Sequence, residues 1–168
     1  MSPATTGTGP VGVAVIGAGN ISKAYLDNLT TFPDLKVHVI ADLFEEAAEA
    51  RAKEYGIAQW GGVDAALNHP DVEIIVNLTI PAAHVEVATA AVNAGKHVWT
   101  EKPFSLDRES GLGLLKTADA AGDLAYHVLD SMVSISESME SGTFVDVASS
   151  APASPALPED WAPETATL

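Results

Sequence analysis

The stretch from residue 11 to residue 42 constrains the fold of this chain more than any other part of its sequence. It opens with an apolar run at residues 13–16, which suits a strand buried on both faces of a sheet. A glycine-containing turn at residues 17–22, a helix-like segment at residues 21–29 and a second apolar strand at residues 37–41 follow, and the strand ends at Asp42. Strand, glycine turn, helix, strand and acid is the order that a dinucleotide-binding unit requires.

Each residue of the turn has a physical role in that interpretation. Gly17 can adopt backbone angles closed to residues with a Cβ, and Gly19 leaves room for a pyrophosphate to approach the backbone. Asn20 and Ile21 begin the helix whose free N–H groups and positive end would hold that anion. Ser22 replaces the third glycine of the fingerprint and is still small enough for close packing of helix and strand. The alternative is an ordinary turn between a strand and a helix.

Asp42 indicates which nucleotide is bound. It follows Ser22 by twenty positions, where a carboxylate can accept hydrogen bonds from the adenosine ribose hydroxyls. It would repel a 2′-phosphate, and the residues that follow, Leu43 and Phe44, supply no arginine to bind one. The sequence therefore predicts NAD as the cofactor, in preference to NADP.

Strands and helices alternate along the next 80 or so residues, at the spacing typical of βαβ units. Further strands are predicted at residues 57–60, 73–78 and 97–100, and helices at residues 45–55, 63–68, 82–94 and 106–121. The predicted fold class is α/β, a Rossmann-type doubly wound parallel sheet. The predicted organisation is a flexible lead-in at 1–10, an NAD-binding Rossmann domain at 11–122, a C-terminal helix and strand at 123–147, and an extended or disordered tail at 148–168.

Composition restricts the partners of the chain. The formal net charge of −15 argues against nucleic acid or an anionic membrane surface as a partner. There is no cysteine, which excludes disulfides and thiolate–metal sites, and no cluster of histidines and carboxylates shows metal-ligand spacing, so no metal site is predicted. No segment has the length and apolar character of a membrane span, and residues 1–10 lack the parts of a signal peptide, so we expect a cytoplasmic protein.

Three motifs carry a family resemblance: GAGNIS at residues 17–22, NLTIPAAH at 77–84 and AGKHVWTEKP at 94–103. With them, residues 11–122 resemble the Gfo/Idh/MocA family, the NAD(P)-dependent oxidoreductases of sugars, inositols and related polyols. The resemblance implies a Rossmann domain followed by a second α/β domain that binds substrate and forms the oligomer interface.

The resemblance also implies roles for individual residues. Lys102 would be catalytic, with its ammonium beside the nicotinamide and the substrate hydroxyl, and Glu101 would lie against the nicotinamide ribose. Thr79, Pro81 and His84 would line the cofactor. The alternatives are a surface lysine for Lys102 and packing at the start of a helix for His84.

The resemblance breaks after residue 122. The residues that follow look like the last helix and terminal strand of full-length relatives, so the substrate domain is predicted to be absent through an internal deletion. Asp123 and His127 have the acid-x-x-x-His spacing of the family's catalytic segment, yet their continuation matches the C-terminal helix, which favours a packing role for His127.

We therefore hypothesise an NAD-binding domain without dehydrogenase activity of its own. The alternatives are an active oxidoreductase whose substrate domain another chain supplies, and a non-catalytic regulatory or minimal nucleotide-binding module. An apolar stripe at residues 124–139 has no evident partner, which predicts a homodimer formed through residues 124–147.

Overall fold

The computed structural model describes residues 9–121. The predicted C-terminal helix and strand, the tail, His127 and most of the lead-in lie outside these residues. The strands are β1 (Val11–Ile16), β2 (Leu35–Ala41), β3 (Gln59–Gly61), β4 (Ile74–Asn77) and β5 (His97–Thr100). The helices are α1 (Asn20–Leu29), α2 (Glu45–Tyr55), α3 (Val63–Leu67), α4 (His84–Asn93) and α5 (Arg108–Ala121).

The five strands form one parallel sheet in the order β3-β2-β1-β4-β5. The chain progresses outward from β1 to β3 and then crosses back to β4 on the other side of β1. The carboxyl ends of β1 and β4 therefore flank the point where the strand order reverses, which is the ligand-binding edge of such sheets. The predicted α/β, Rossmann-type doubly wound fold is confirmed.

Side chains alternate between two cores on the two faces of the sheet. Val13 and Val15 of β1 pack on the face covered by α1 and α2, whereas Ala14 and Ile16 pack on the face covered by α3 and α4. Helix α5 packs against α4. Burial of β1 on both faces explains its continuous apolar run.

A bulge interrupts β2 at His38. Val13 of β1 pairs with Val37, and Ala14 pairs with Val39, which leaves His38 without a partner in the register. Val37 packs on the α1 and α2 face, while Val39 packs on the opposite face. The extra residue thus resets the alternation, and a bulge of this kind redirects the side chain that it carries.

Several element boundaries differ from the predicted ones by one or two residues, and three of these differences have a clear local cause. Strand β3 begins at Gln59, because the backbone N–H of Ile57 donates to the Ala52 carbonyl (2.8 Å) in the turn that ends α2. Helix α4 begins at His84 after a separate 3₁₀ turn at Pro81–Ala83. Helix α5 begins at Arg108, where the Asp107 side chain accepts the Ser110 N–H (2.8 Å) in the manner of an N-cap. No helix in the part of the chain described has both the length and the apolar character that crossing a bilayer demands.

Candidate functional site

The turn after β1 depends on Gly17. Its φ is +110°, and its N–H donates to the Ala41 carbonyl at the end of β2 (2.7 Å). A Cβ at this position would lie 2.5 Å from the Leu78 carbonyl oxygen. Glycine is therefore required at this position for two reasons, the positive φ and the close approach of the loop that follows β4. Both belong to the sharp turn out of β1 that the sequence predicts at Gly17.

Gly19 differs from Gly17 because no atom of residues 9–121 requires it to be glycine. Its φ is −68°, and a Cβ there would have nothing within 4 Å. It precedes α1, whose first residues, Asn20 and Ile21, are exposed. Ser22 in the next position is fully buried, and its Oγ donates to the Gly19 carbonyl (2.7 Å). The space kept clear by Gly19 thus lies outside the protein, in front of the N-terminus of α1.

Asp42 connects the end of β2 to the glycine turn. Its Oδ2 accepts the Ala18 N–H (2.7 Å), and its Oδ1 accepts the Phe44 N–H (2.9 Å). Asp42 is half-buried, and each carboxylate oxygen has a second lone pair to offer. The structure therefore brings the predicted acid next to the turn, in contact with the residue between the two glycines.

Arg51 of α2 contributes to this site, and the sequence reasoning missed it. One terminal nitrogen, Nη2, donates to the carbonyls of Ala18 and Gly19 (3.3 Å each), while Nη1 pairs with Glu54 (2.6 Å). The side chain is 17% exposed. It lies in a helix of ordinary composition, 32 residues from Gly19, so no local signal in the sequence pointed to it. The guanidinium thus stabilises the glycine turn by hydrogen bonds to its backbone carbonyls.

The loop after β4 is organised by Asn77, which is fully buried. Its Oδ1 accepts both the N–H (3.3 Å) and the hydroxyl (2.7 Å) of Thr79, and its Nδ2 donates to the His84 carbonyl (3.0 Å). Asn77 therefore connects the first residues of the loop to the start of α4. Thr79 is half-buried and Pro81 is exposed, so both remain near enough to the surface to meet a ligand.

His84 is 1% exposed and spans two loops. Its Nε2 lies 2.9 Å from the Thr79 carbonyl, and its Nδ1 lies 2.6 Å from the Pro103 carbonyl. Carbonyl oxygens only accept hydrogen bonds, so whichever ring nitrogen carries the hydrogen has an acceptor in place. This places His84 beneath the loops predicted to contact the cofactor. The role that this geometry supports is to hold those loops in position.

Glu101 lies at the end of β5 and binds a tyrosine. Its Oε1 accepts the hydroxyl of Tyr25 from α1 (2.5 Å), and that hydroxyl lies 3.4 Å from the Trp99 indole nitrogen. Burial, followed by the hydrogen bond to Glu101, raises the pKa of Tyr25 above its usual value. The neutral phenol is therefore stabilised as a donor, and Tyr25 is poorly suited to accept a proton.

Lys102 follows Glu101 and is exposed. Its backbone N–H donates to Glu101 Oε2 (3.3 Å), and the Lys102–Pro103 peptide bond is cis. Since the Glu101 N–H also donates to the Asn77 carbonyl (3.1 Å), the Glu-Lys-Pro segment continues directly from the sheet. The ammonium of Lys102 thus projects from the carboxyl edge of β5.

The predicted residues therefore gather along one edge, where the carboxyl ends of β1, β2, β4 and β5 meet. Gly17, Gly19, Asn20, Ile21 and Asp42 form one part of the edge; Thr79, Pro81, Glu101 and Lys102 form the other, and His84 lies below them. What the edge offers a ligand is helix N–H groups, carboxylates and one exposed ammonium. These groups suit the phosphates and hydroxyls of a dinucleotide.

Comparison with known proteins agrees with this site. Residues 11–129 match the model of an oxidoreductase family with an NAD-binding Rossmann fold, Gfo/Idh/MocA. Inositol 2-dehydrogenase of Rhizobium meliloti is 32% identical over 102 residues, which cover 61% of this chain and 31% of that protein. The chain thus spans about a third of the length of this curated relative.

Two crystal structures show similar folds. GenD2 from gentamicin A biosynthesis, in complex with NAD, has a TM-score of 0.65 and 27% identity, covering 70% of this chain and 34% of that one. Biliverdin reductase from Synechocystis, in complex with biliverdin and NADP⁺, has a TM-score of 0.64 and 26% identity, covering 68% and 36%. Both cofactors occur among the neighbours. The glycine turn, the acid after β2 and the Glu-Lys-Pro edge, together with the match over residues 11–129, show that this chain belongs to the Gfo/Idh/MocA family of oxidoreductases.

Proposed function

We propose that this chain is the NAD-binding unit of an oxidoreductase acting on sugars or polyols, and that it has no dehydrogenase activity on its own. The observation that carries the proposal is the pairing of Gly19 with Asp42. Gly19 keeps an open space in front of the α1 N-terminus, and Asp42 lies at the neighbouring strand end, 2.7 Å from the Ala18 N–H. Inositol 2-dehydrogenase among the relatives supports the substrate class.

The residues present fit an NAD molecule. The N–H groups at the start of α1 would hold the pyrophosphate, and no side chain at Gly19 obstructs its approach. Asp42 would accept the adenosine ribose hydroxyls on its remaining lone pairs. Bound NAD supplies a hydride acceptor, which no protein side chain provides.

The preference for NAD over NADP rests on charge. A 2′-phosphate carries negative charge and would meet the carboxylate of Asp42, whose neighbours Leu43 and Phe44 are apolar and exposed. Arg51 is the nearest guanidinium on α2, but it pairs with Glu54 and with the Ala18 and Gly19 carbonyls. It is therefore committed to the glycine turn.

At the substrate end, Lys102 would bind the reacting hydroxyl, and a general base would have to take its proton. Among residues 9–121, Tyr25 is a candidate through its hydrogen bond to Glu101, yet its raised pKa disfavours the phenolate. His84 is buried, and each of its ring nitrogens faces a backbone carbonyl. Neither group fits the role of base, which supports the proposed lack of independent activity.

Two alternatives to this function follow from the sequence. Another chain could supply the substrate domain and the base, which would make the assembly an active oxidoreductase. Alternatively, the chain is a nucleotide-binding module with a regulatory role. Turnover tests the proposed lack of independent activity: we expect no NADH production from inositol or simple sugars by the isolated chain. Steady production that disappears in Lys102→Ala would contradict the proposed inactivity and favour an active enzyme.

Gly19→Ala tests nucleotide binding directly. The added methyl would contact no protein atom, and φ at −68° is open to alanine, so the fold should be retained. The methyl would occupy the path of the pyrophosphate, and we expect at least a tenfold loss of NAD affinity in calorimetry. Gly113→Ala, also with nothing within 4 Å and located in α5, is the matched control and should bind normally. Equal affinity of Gly19→Ala and wild type would refute the proposed site.

Asp42→Ala tests the choice of cofactor. In wild type, saturation with NAD to about a hundred times the dissociation constant should add roughly 2.7 kcal/mol to stability, and NADP should add less. The substitution should reduce the difference between the two cofactors. Equal stabilisation of wild type by NAD and NADP would contradict the argument from charge.

We further propose a cytoplasmic homodimer formed through residues 124–147. A mainly apolar groove of about 470 Å³ between α1 and the sheet supports it, lined among others by Tyr25, Leu29, Phe32, Ile74 and Trp99. Trp99 is 61% exposed there. The proposed occupant is the apolar stripe at residues 124–139 of the second copy.

Sedimentation showing a monomer at micromolar concentration would refute the dimer. An unchanged dimer in Trp99→Glu would refute this groove as the dimer interface.

A further inference from the structure

Three potential metal ligands lie close together near the edge of the sheet opposite to the glycine turn. His38 lies at the bulge of β2, and His69 and Asp71 lie in the connection from α3 to β4. The ligand atoms of the three side chains all lie within 4.8 Å of one another. The Asp71 carbonyl packs so closely against Gly12 of β1 that a Cβ there would overlap it. The cluster therefore sits near the amino ends of β1 and β4.

We propose that His38, His69 and Asp71 form a binding site for Zn²⁺ or a similar divalent transition metal. Two imidazole nitrogens and one carboxylate are ligands that zinc accepts, with water in the fourth position. Magnesium and calcium prefer oxygen ligands alone. The net charge of −15 also favours the approach of a cation.

The bulge is what makes the arrangement possible. Without the extra residue in β2, side chains would alternate between the two faces of the sheet along the whole strand. Residue 38 would then pair with a residue of β1, as its neighbours Val37 and Val39 do. Because His38 is the extra residue, its ring approaches His69, with centroids 5.0 Å apart and planes inclined by 38°. Two imidazoles this close can share one ion.

His69 is held in place from several sides. It is 8% exposed, and its carbonyl accepts a hydrogen bond from the Lys96 ammonium (3.0 Å). Its Nδ1 accepts the Asp71 N–H (3.2 Å), and its Nε2 lies 3.1 Å from the Gln59 side-chain amide. The Gln59 atom nearest to Nε2 is the amide nitrogen; because Nδ1 accepts, Nε2 carries the hydrogen, so the amide would turn over to present its oxygen to it. A metal ion would take the Nδ1 lone pair in place of the long Asp71 N–H bond.

Gln59 would then serve as the partner that orients the ligand ring, since metal-bound histidines usually donate their other N–H to an oxygen acceptor. The donor atoms around tetrahedral zinc lie roughly 3.4 Å apart, because each bond is about 2.0–2.1 Å long. The ligand atoms, which lie within 4.8 Å of one another, would have to move closer together to bind one ion. Asp71 is exposed and can supply most of this movement by rotation.

Calorimetric titration of the metal-stripped, tag-free full chain with ZnCl₂ tests the site, and visible absorption with Co²⁺ tests its geometry. We expect one equivalent of Zn²⁺ bound in the micromolar range or tighter, and the intense Co²⁺ bands of four-coordination. His38→Gln and Asp71→Asn should each weaken binding at least tenfold, and Gln59→Ala about tenfold. His97→Gln and His127→Gln, at histidines outside the cluster, are the matched controls and should bind as wild type.

Binding without saturation, or binding that His38→Gln leaves unchanged, would overturn the site. So would a loss of binding in His127→Gln alone, because the ion would then lie elsewhere in the chain. The test is independent of NAD: His38→Gln should bind NAD as wild type does. Circular dichroism of each variant identifies one that fails to fold, and in that case the His38→Asn variant and the Co²⁺ spectrum of wild type decide.

Discussion

Replacing His84 by alanine should lower the free energy of unfolding by about 2–6 kcal/mol. The substitution removes a buried ring whose nitrogens face the Thr79 and Pro103 carbonyls, at 2.9 and 2.6 Å. Leaving a buried acceptor unsatisfied costs about 1–3 kcal/mol, and the cavity left by the ring costs about as much again. The loss is a large part of the roughly 5–15 kcal/mol by which a domain is stable.

Urea unfolding at neutral pH without nucleotide measures this loss. His97→Ala, at an exposed histidine of β5, is the matched control and should lower stability much less than His84→Ala does. NAD affinity should fall together with stability, since the Thr79 and Pro103 loops lose a common support.

A stability loss below about 1 kcal/mol in His84→Ala, combined with a large loss of NAD affinity, would refute this reasoning. That outcome would mean that the ring touches the cofactor directly.

Three further predictions follow from the site. Gly17→Ala should destabilise the fold by more than about 2 kcal/mol in urea, because φ is +110° and a Cβ would lie 2.5 Å from the Leu78 oxygen; wild-type stability would contradict this. Arg51→Met should weaken NAD binding in calorimetry by freeing the Ala18 and Gly19 carbonyls. Unchanged affinity would show that the glycine turn keeps its conformation without Arg51. Because the raised pKa of Tyr25 adds stability below pH 10 that is lost as pH rises through the folded value, Tyr25→Phe should flatten the decline in stability above pH 10; parallel curves would count against the Glu101 bond.

The fold class, and several of the residues that gather at the carboxyl edge of the sheet, could be predicted from the sequence alone. Continuous apolar runs require strands buried on both faces, and the short connections between strands and helices allow only parallel crossovers. Gly17, Gly19 and Asp42 were predictable because their spacing along the chain is itself the geometric requirement of a dinucleotide site. Lys102 and Glu101 were named through the family resemblance, and the structure places both at the same edge.

Contacts between distant segments were decided by the tertiary structure. Arg51 reaches the glycine turn from a helix whose composition shows only a charged surface, and His84 is turned inward by Asn77 and the two loops it joins. The meeting of His38 with Asp71 depends on one extra residue in β2, whose position follows from pairing with β1. A pattern in one segment records which face is apolar, but the register against a neighbouring strand depends on both strands. For that reason the meeting of Gly17, Gly19 and Asp42 at one edge of the sheet could be predicted from the chain, and the meeting of His38 with His69 and Asp71 could not.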